Sequence, residues 1–388
     1  MPTYVSGTRG TGSVESTRRK YSVHDKLWMV SPEYAALAFF ARSLKKEAVT
    51  DPEYRWFEKE QPSRQDAINY STGYNTTATE LTVDDGTKFR AGDVVQNVDT
   101  GEHMHVDSVA SDVLTVDRGW GSTAAAAITD NDVLVITGNA NAEGASLRAA
   151  LTTKAEKKFN YTQIFREPLD VTGTEAATDL YAGGSDIDGL RKEHNDVHMK
   201  DIERSFLFGE KKEDTSGSQP VRATGGLNSF LSTNVTSDSN GTITESEWDT
   251  VVRGAFQNGG DKKMGILSPL MGSAIESWAK TKLYMYPTDK TYGIAIRSYL
   301  SIHGTIDFTL ERILAENTVW AGYSFLTDMD KIGYRYLAGN GQNRDTRLLK
   351  DRQDNGDDQL IEEYMTEAGF FLAVENRHAV LKGVTAYS

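Results

Sequence analysis

The stretch Asn160-Tyr161-Thr162-Gln163-Ile164-Phe165 is followed by a helical pattern over residues 186–208. Apolar residues of the second segment roughly trace one helix face, and the other positions are strongly charged. Those apolar residues are Ile187, Leu190, Val197, Ile202 and Phe206. At 1.5 Å per residue, such a helix is about 35 Å long. The sequence therefore predicts one long helix within an α+β fold.

Upstream of this stretch, residues 75–138 have a β pattern. Apolar residues alternate with polar ones around Leu81 and Met104, and turns such as Asp85-Gly86 separate the runs. A last, continuous apolar strand runs from Val133 to Ile136. The spacing predicts a small antiparallel barrel, or a set of folded hairpins, of about 60 residues. Because helical sequence resumes on both sides, we expect an insertion in a larger domain.

The first 24 residues carry a net charge of +3, whereas the rest of the chain carries −17. Their composition is polar and rich in glycine, so this segment cannot form a core of its own. Two interpretations stay open, which are a frayed terminus and an extended basic arm that lies on an acidic neighbour.

A short helix is predicted after this segment, with Ser31 as N-cap and Pro32 at its first position. Apolar residues then recur at helical spacing, at Tyr34, Leu37, Ala38, Ala41 and Leu44. The basic residues near its C-terminal end are Arg42, Lys45 and Lys46.

Helices and strands alternate over residues 246–345, between loops predicted at 213–221 and 233–246 and a β-rich C-terminus. Two helices are predicted in this region. One contains Trp248, Val251, Val252 and Ala255, and the other begins at Ser268-Pro269. The predicted strands are Lys263–Leu267, Thr305–Leu310, Thr318–Phe325, Leu348-Leu349, Leu360–Tyr364, Gly369–Glu375 and Ala379–Val384. Asn355-Gly356 is a strong signal for a hairpin turn after Leu349.

Composition excludes several classes of protein. The 388 residues have a net charge of −14, so the chain is not an obvious free nucleic-acid binder. There is no cysteine, which excludes disulfides, zinc–thiolate sites and cysteine nucleophiles. No apolar run approaches the ~20 residues of a membrane helix, and no secretory signal follows Met1.

Two histidine pairs are the strongest candidates for metal ligands. His194 and His198 stand four residues apart on the long helix, a spacing that allows zinc binding. A zinc protease of this type needs Glu after the first histidine, where this chain has Asn195. His103 and His105 lie on the same side of a predicted strand. Solvated histidines that pair with nearby acids are the better explanation, and no metal site is predicted.

Acidic clusters give similarly weak signals. Asp186, Asp188 and Gly189 resemble part of a calcium loop, but its terminal glutamate is replaced by Val197. Acidic residues at a helix N-terminus account for them better. The aspartates around the predicted hairpin turn are Asp354, Asp357 and Asp358.

Motifs for phosphate loops, dinucleotide binding and nucleophile elbows are absent from the sequence. Carboxylate pairs for glycoside hydrolysis stay possible, because 56 acidic residues offer many pairs. The long arm, the β insertion and the lack of a converging polar set favour a structural protein. No catalytic, cofactor-binding or metal-binding residue is therefore predicted.

Several short motifs, in order, resemble one family. They are Val116-Asp117-Arg118-Gly119-Trp120-Gly121-Ser122-Thr123-Ala124, Asn160–Phe165, Val171-Thr172-Gly173-Thr174, Glu203-Arg204-Ser205-Phe206-Leu207-Phe208-Gly209 and Arg222-Ala223-Thr224-Gly225-Gly226-Leu227. The chain resembles the SU10-like major capsid proteins of tailed bacteriophages from about residue 50 to its end. That family is similar to the HK97-type shell proteins.

The resemblance implies an HK97-like division of the chain. Residues 1–60 would form the N-terminal arm and short helix, and residues 61–165 the E-loop region with its β-barrel-like insertion. Residues 166–245 would form the P-domain with the 186–208 helix as its spine. Residues 246–345 would form the A-domain, and residues 346–388 strands that return to the P-domain.

The resemblance also implies a function. We expect a non-enzymatic major capsid protein that forms hexamers and pentamers of an icosahedral shell around double-stranded DNA, which it does not bind sequence-specifically. Because no long helical segment precedes the arm, a separate scaffolding protein is expected, together with a portal and possibly a decoration protein. The expected location is the virion, after assembly in the host cytoplasm. The alternatives are an encapsulin-like compartment shell and a hydrolase with a β carbohydrate-binding insertion.

Overall fold

A computed structural model describes residues 44–178, 186–238, 240–282, 286–287 and 297–388. These residues form two compact units. One unit is Phe57–Lys157, and the other contains Lys158–Ser388 with the described residues up to Trp56. The predicted N-terminal arm and most of the predicted short helix lie outside the described residues. In the described part of the chain, no helix combines the length and apolar character required to cross a membrane.

The described part of the chain up to Thr172 is mostly β. Its strands are β1 (Lys45–Val49), β2 (Glu53–Glu58), β3 (Gln65–Ala67), β4 (Glu80–Thr82), β5 (Asp93–Asn97), β6 (His103–Ala110), β7 (Val113–Asp117), β8 (Val133–Asn139), β9 (Glu156–Tyr161) and β10 (Gln163–Thr172). Lys45 and Lys46, predicted near the end of a helix, instead begin strand β1, which pairs in parallel with a strand near residue 335. The pairing with a distant strand outweighs the local helical pattern.

The second half mixes helices and strands. The helices are α1 (Gly173–Ala176), α2 (Asp186–Phe208), α3 (Leu227–Phe230), α4 (Glu245–Gln257) and α5 (Pro269–Lys282). The strands are β11 (Lys212–Asp214), β12 (Val221–Ala223), β13 (Val235–Ser237), β14 (Thr242–Ile243), β15 (Lys262–Leu267), β16 (Tyr286–Pro287), β17 (Arg297–Ser301), β18 (Gly304–Leu310), β19 (Ser324–Thr327), β20 (Ile332–Gly339), β21 (Gln342–Asn343), β22 (Arg347–Leu349), β23 (Gln359–Leu372), β24 (Ala379–Lys382) and β25 (Ala386–Tyr387). The predicted α+β fold is confirmed.

The unit Phe57–Lys157 is built around a β-barrel. Its sheet has the order β3-β8-β5-β6-β7-β4, and Ile68 bridges to Val83 to join the first strand to the last. The backbone N–H of Asn69 donates to the carbonyl of Thr82 at 2.9 Å, which reinforces the closure. Alternate side chains point inward and form an apolar core that includes Leu81. Closure leaves this sheet without a free edge.

The long helix packs on a sheet of order β1-β20-β23-β10. Phe206 of α2 contacts Phe370 and Tyr334, with ring centroids 5.6 and 5.7 Å apart, respectively. The helix has the predicted bounds, but its predicted apolar face needs one correction. Val197 is exposed, and the neighbouring His198 is buried instead.

A second sheet of seven strands, in the order β13-β24-β19-β15-β18-β17-β16, carries helices α4 and α5 on a shared core. Helix α4 begins with a capping box, in which Thr244 and Glu247 exchange side-chain and backbone hydrogen bonds. The division into two sheets differs from the boundary that the sequence predicts at residue 345. Strand β20 joins the first sheet with β23, whereas β24 joins the second.

Several predicted segments differ from the structure. The predicted strand Thr318–Phe325 begins instead at Ser324, because residues 320–322 form a 3₁₀ turn in which Trp320 stacks on Phe208 with centroids 4.6 Å apart. The predicted loops at 213–221 and 233–246 contain strands at their ends or within them. Strands β22 and β23 pair antiparallel, but a longer segment than the Asn355-Gly356 turn connects them.

Candidate functional site

Two of the sequence motifs meet at a buried polar junction. The side-chain amide of Asn160 donates to the carbonyls of Gly225 and Phe370 at 2.9 and 2.7 Å, and its Oδ1 accepts from the N–H of Gly225 at 2.8 Å. Oδ1 also accepts from the N–H of Tyr161 at 2.9 Å. Asn160 is fully buried, so the amide satisfies backbone groups that water cannot reach. The junction thus links β9, the loop after β12, and β23.

Neighbouring side chains complete this junction. Thr224 Oγ1 accepts from the N–H of Phe370 at 3.1 Å, and Gln163 Oε1 accepts from the N–H of Thr224 at 3.1 Å. The Tyr54 hydroxyl donates to the Phe370 carbonyl at 2.5 Å. Burial raises the pKa of Tyr54 well above its usual range, so the hydroxyl stays protonated. Every polar group here is used to hold strands together, which indicates a structural role.

A third motif joins at the end of α2. The N–H of Gly226 donates to the carbonyl of Gly209 at 2.8 Å. A Cβ at position 226 would lie 2.5 Å from the carbonyl oxygen of Ser205, closer than real Cβ contacts allow. The close approach of the two backbones therefore requires glycine at position 226.

Three buried glutamates of β23 each pair with an arginine from another element. Arg191 of α2 binds Glu362 through two hydrogen bonds of 2.6 Å. Arg166 of β10 pairs with Glu363, and Arg344 pairs with Glu367. The side chains of all three glutamates, Glu362, Glu363 and Glu367, are buried. The hydrogen bonds from Arg191 hold the pKa of Glu362 below its usual value, so this carboxylate is charged at neutral pH.

The barrel has its own buried ion pair. Arg118 binds both oxygens of Glu102, at 2.7 and 2.8 Å, and the two side chains are 6% and 0% exposed. Burial raises the pKa of Glu102, but the bonds from Arg118 and from the N–H groups of Ala126 and Gly119 outweigh it and lower the pKa overall. Arg118 also donates to three backbone carbonyls, including that of Ala126 at 2.5 Å. The Arg118-Gly119-Trp120 motif thus fixes the loop after β7.

An exposed apolar tip lies on the second sheet. Strands β17 and β18 pair antiparallel, and residues 302–303 connect them. Leu300 and Ile302 are 76% and 97% exposed, respectively. An open cavity of about 500 Å³ separates this tip from α4, which contributes Asp249 and Arg253 to its wall. Contiguous exposed apolar surface is typical of sites that contact other proteins, so this tip is a candidate contact surface.

Comparison with known proteins identifies the family. The sequence profile of the SU10 major capsid protein family matches residues 5–385. The chain belongs to the SU10 major capsid protein family. This match confirms the resemblance found in the sequence, on which the prediction of an HK97-like fold rested.

One curated relative is the major capsid protein of Pseudomonas phage PaMx41, 34% identical over 150 residues. That match covers 39% of this chain, and the chain spans 36% of the length of this relative. Among solved structures, Gordonia phage Cozz gives a TM-score of 0.48 at 11% identity, covering 98% of this chain and 94% of that one. The holo-SrpI encapsulin complex from Synechococcus elongatus PCC 7942 gives 0.47 at 10% identity, covering 96% and 95%.

The structure separates the two histidines of the long helix. His198 is buried and its Nε2 lies 2.7 Å from Thr366 Oγ1, whereas His194 Nδ1 lies 2.8 Å from Glu167. Burial lowers the pKa of His198, which favours the neutral imidazole. Within residues 44–388, where the structure describes them, no three His, Asp or Glu side chains are grouped as a metal site. Both histidines of α2 therefore serve the packing of the helix.

The other sequence candidates also have structural partners. His103 and His105 share one side of β6, as predicted, and His105 stacks on Trp120 with centroids 5.4 Å apart. His105 Nδ1 also lies 3.0 Å from Asp107. Asp188 pairs with Arg191 at 2.9 Å. Asp354, Asp357 and Asp358 lie in the segment between β22 and β23, where the Asp358 carbonyl accepts from the N–H of Gly173 at 3.1 Å.

Sequence reasoning missed the buried acid Glu311, which follows β18 and is 3% exposed. Its side chain accepts from the N–H of Ile313 at 3.3 Å. Burial raises the pKa of Glu311 to about 8. The sequence gives one weak signal for it, because a glutamate directly before a turn can cap that turn.

Proposed function

We propose that this protein is the major capsid protein of a tailed bacteriophage. It assembles into hexamers and pentamers, which together form an icosahedral shell around double-stranded DNA. The observation that carries this proposal is the family match over residues 5–385. The described architecture supports it, because the motifs of the resemblance occupy buried junctions that stabilise a shell subunit rather than a catalytic cleft.

The proposed parts correspond to the barrel unit and to the two sheets of the other unit. The barrel unit Phe57–Lys157 is the E-loop region with its insertion. The first sheet and helix α2 form the P-domain, and the second sheet with α4 and α5 forms the A-domain. The basic segment of residues 1–24 is the proposed arm, which docks on acidic surface of an adjacent subunit.

The exposed tip around Leu300 and Ile302 is the proposed contact between A-domains. A ring of five or six subunits needs a heterologous contact, in which one surface meets a different surface of the next copy. The apolar tip of one copy would enter the cavity beside α4 of its neighbour. Removing two such side chains from water would contribute on the order of 3–6 kcal/mol per contact.

The remaining parts of the proposal concern chemistry and partners. The protein acts as a structural component without enzymatic activity or cofactor. Its partners are other copies of itself, a separate scaffolding protein, a portal and possibly a decoration protein. A net charge of −14 suits a container that encloses DNA without binding it sequence-specifically. The shell assembles in the host cytoplasm and is found in the virion.

Negative-stain electron microscopy combined with mass determination tests assembly. The recombinant protein, alone or co-expressed with the neighbouring viral genes, is expected to give closed shells or rings of five or six. A monomer of 42.8 kDa under both conditions would contradict the proposal. Shells that hold a cargo enzyme instead of DNA in infected cells would indicate a compartment.

A charge at the tip tests the proposed contact. Ile302→Asp places a carboxylate in the contact and is expected to abolish rings and shells while leaving the subunit folded, since Ile302 is 97% exposed. Val98→Asp is the matched control, because Val98 is also an exposed apolar residue, at 56%, but lies in the barrel. Normal shells of Ile302→Asp would exclude the tip as the contact.

A further inference from the structure

The barrel unit contains a second cavity, of about 270 Å³. Three cationic side chains, Arg64, Lys88 and Arg90, line it, together with the carboxylate of Asp93 and apolar residues that include Ile136. All of these residues belong to the unit Phe57–Lys157. Since a water molecule occupies about 30 Å³ in the liquid, the cavity has room for a small polyatomic ion.

The acidic groups near this cavity are already engaged. Asp93 accepts from Arg148 Nη2 at 2.6 Å and from the N–H of Arg90 at 2.8 Å. Lys88 pairs with the carboxylate of Asp66 at 2.5 Å. Among the described residues, Asp66 and Asp93 therefore bond other groups and neither forms an ion pair with Arg64.

Two guanidinium groups lack a carboxylate partner in the described part of the chain. Arg90 donates from Nη1 to the carbonyl of Ala149 at 3.1 Å, and the Arg64 side chain makes no hydrogen bond to the described residues. The Nε atom of Arg90, a residue that lines the cavity, is buried without an acceptor among the described residues. A buried donor without an acceptor is costly, so an anion in this cavity would stabilise the site.

The charge distribution of the barrel unit makes this cluster unusual. Residues 57–157 contain sixteen acidic and eight basic side chains. Three of those eight, Arg64, Lys88 and Arg90, line the cavity, and a fourth, Arg148, bonds the lining residue Asp93. Cations concentrated in one concave site of an acidic unit focus a positive potential at that point.

We propose that this cavity is an oxyanion-binding site for a carboxylate or a phosphate group. Guanidinium groups bind both anions through paired N–H donors. Within the proposed shell, and only if that function holds, the anion is an acidic side chain of a neighbouring copy. The other source of the same chemistry is free phosphate.

Calorimetric titration of the unassembled full-length protein with inorganic phosphate, at low ionic strength, tests the site. Wild type is expected to bind one phosphate per chain, and 0.5 M NaCl to weaken that binding. Arg64→Gln is expected to weaken phosphate binding at least tenfold, and Arg90→Gln likewise. Lys59→Gln is the matched control, because it removes an equal charge from an exposed residue outside the cavity. It is expected to change the affinity less than twofold.

Absence of saturable binding to wild type would overturn the proposal, as would an equal loss in Lys59→Gln and Arg64→Gln. The same titration on assembled shells separates the sources. Shells that no longer bind phosphate point to a carboxylate of a neighbouring copy, and shells that still bind it point to free phosphate. Failure to form shells would refute the proposed function. The titration of the unassembled chain would still test the anion site, because it does not depend on assembly.

Discussion

The junction around Asn160 leads to a quantitative prediction for Asn160→Ala. The substitution removes a buried amide that bonds Gly225 through both its N–H and its carbonyl. The Phe370 carbonyl still accepts a hydrogen bond from the hydroxyl of Tyr54, at 2.5 Å. The Gly225 carbonyl still accepts from Thr224 Oγ1, at 3.4 Å, whereas the N–H groups of Gly225 and Tyr161 lose their acceptor, Asn160 Oδ1.

The magnitude follows from the two backbone groups of Gly225, because Gly225 is buried whereas Tyr161 is half-buried. A buried donor or acceptor without its partner costs about 1–3 kcal/mol, so the pair costs roughly 2–6 kcal/mol. For a unit of more than 200 residues, each kcal/mol lowers the melting temperature by roughly 2 °C. We therefore expect Asn160→Ala to melt roughly 4–12 °C below wild type.

Differential scanning calorimetry of the unassembled protein measures this shift. Asn195→Ala is the control, because Asn195 lies on α2 and makes no side-chain hydrogen bond in the described part of the chain. It is expected to melt at the wild-type temperature or slightly above, since alanine favours helices. The barrel has a separate core and its transition is expected to stay in place. A shift of less than 2 °C for Asn160→Ala would show that the Asn160 amide does not stabilise the fold through these backbone groups.

Three further predictions concern buried ionisable groups. Glu102→Gln leaves the buried Arg118 unpaired and is expected to destabilise the barrel by about 3–5 kcal/mol in calorimetry, whereas exposed Glu143→Gln leaves it unchanged. Burial lowers the pKa of His378 to about 4, below its unfolded value near 6.5, so protons bind the unfolded state first. Wild type is therefore expected to lose melting temperature relative to His378→Gln as the pH falls from 6.5 to 4, and parallel curves would contradict this. Burial raises the pKa of Glu311 to about 8, above its unfolded value of about 4.5. The stability that protonation of Glu311 gives the folded state is therefore fully present below pH 4.5 and is lost as the pH rises through 8. Wild type is expected to lose melting temperature relative to Glu311→Gln over that range, and a constant difference would count against it.

Local periodicity was sufficient to predict the elements that bury one clear face. Helix α4 has four buried apolar residues, Trp248, Val251, Val252 and Ala255, at helical spacing. The barrel strands alternate between core and surface, as β7 does with buried Leu114 and Val116. In these segments the pattern of burial and the pattern of the sequence coincide, because each element packs on a single core.

Prediction failed where polar residues are buried. Strand β23 was predicted as two strands, because Thr366 and Glu367 interrupt its apolar pattern. Both are buried and bond to residues far along the chain, Thr366 to His198 and Glu367 to Arg344. Such partners are invisible to a local window, so a continuous strand of 14 residues was split.

The candidate sites show the same limit. No spacing rule connects Arg64 with Arg90, which share a cavity only because the barrel folds their segments together. The family resemblance, in contrast, rested on short motifs that need no distant partner to be noticed. Several residues of those motifs lie at close internal contacts, such as Gly226 against Ser205.

This placement explains why motifs could identify a family without indicating any chemistry. A close backbone approach or a buried amide accepts few residue types, so such positions define a recognisable pattern. Surface residues such as Ile302 face no comparable internal constraint, although they carry the proposed contacts between copies. In a shell protein, therefore, the pattern that identifies the subunit and the surface that assembles it are expected to be separate. Asn160→Ala should thus lower the stability of the subunit, whereas Ile302→Asp should alter assembly alone.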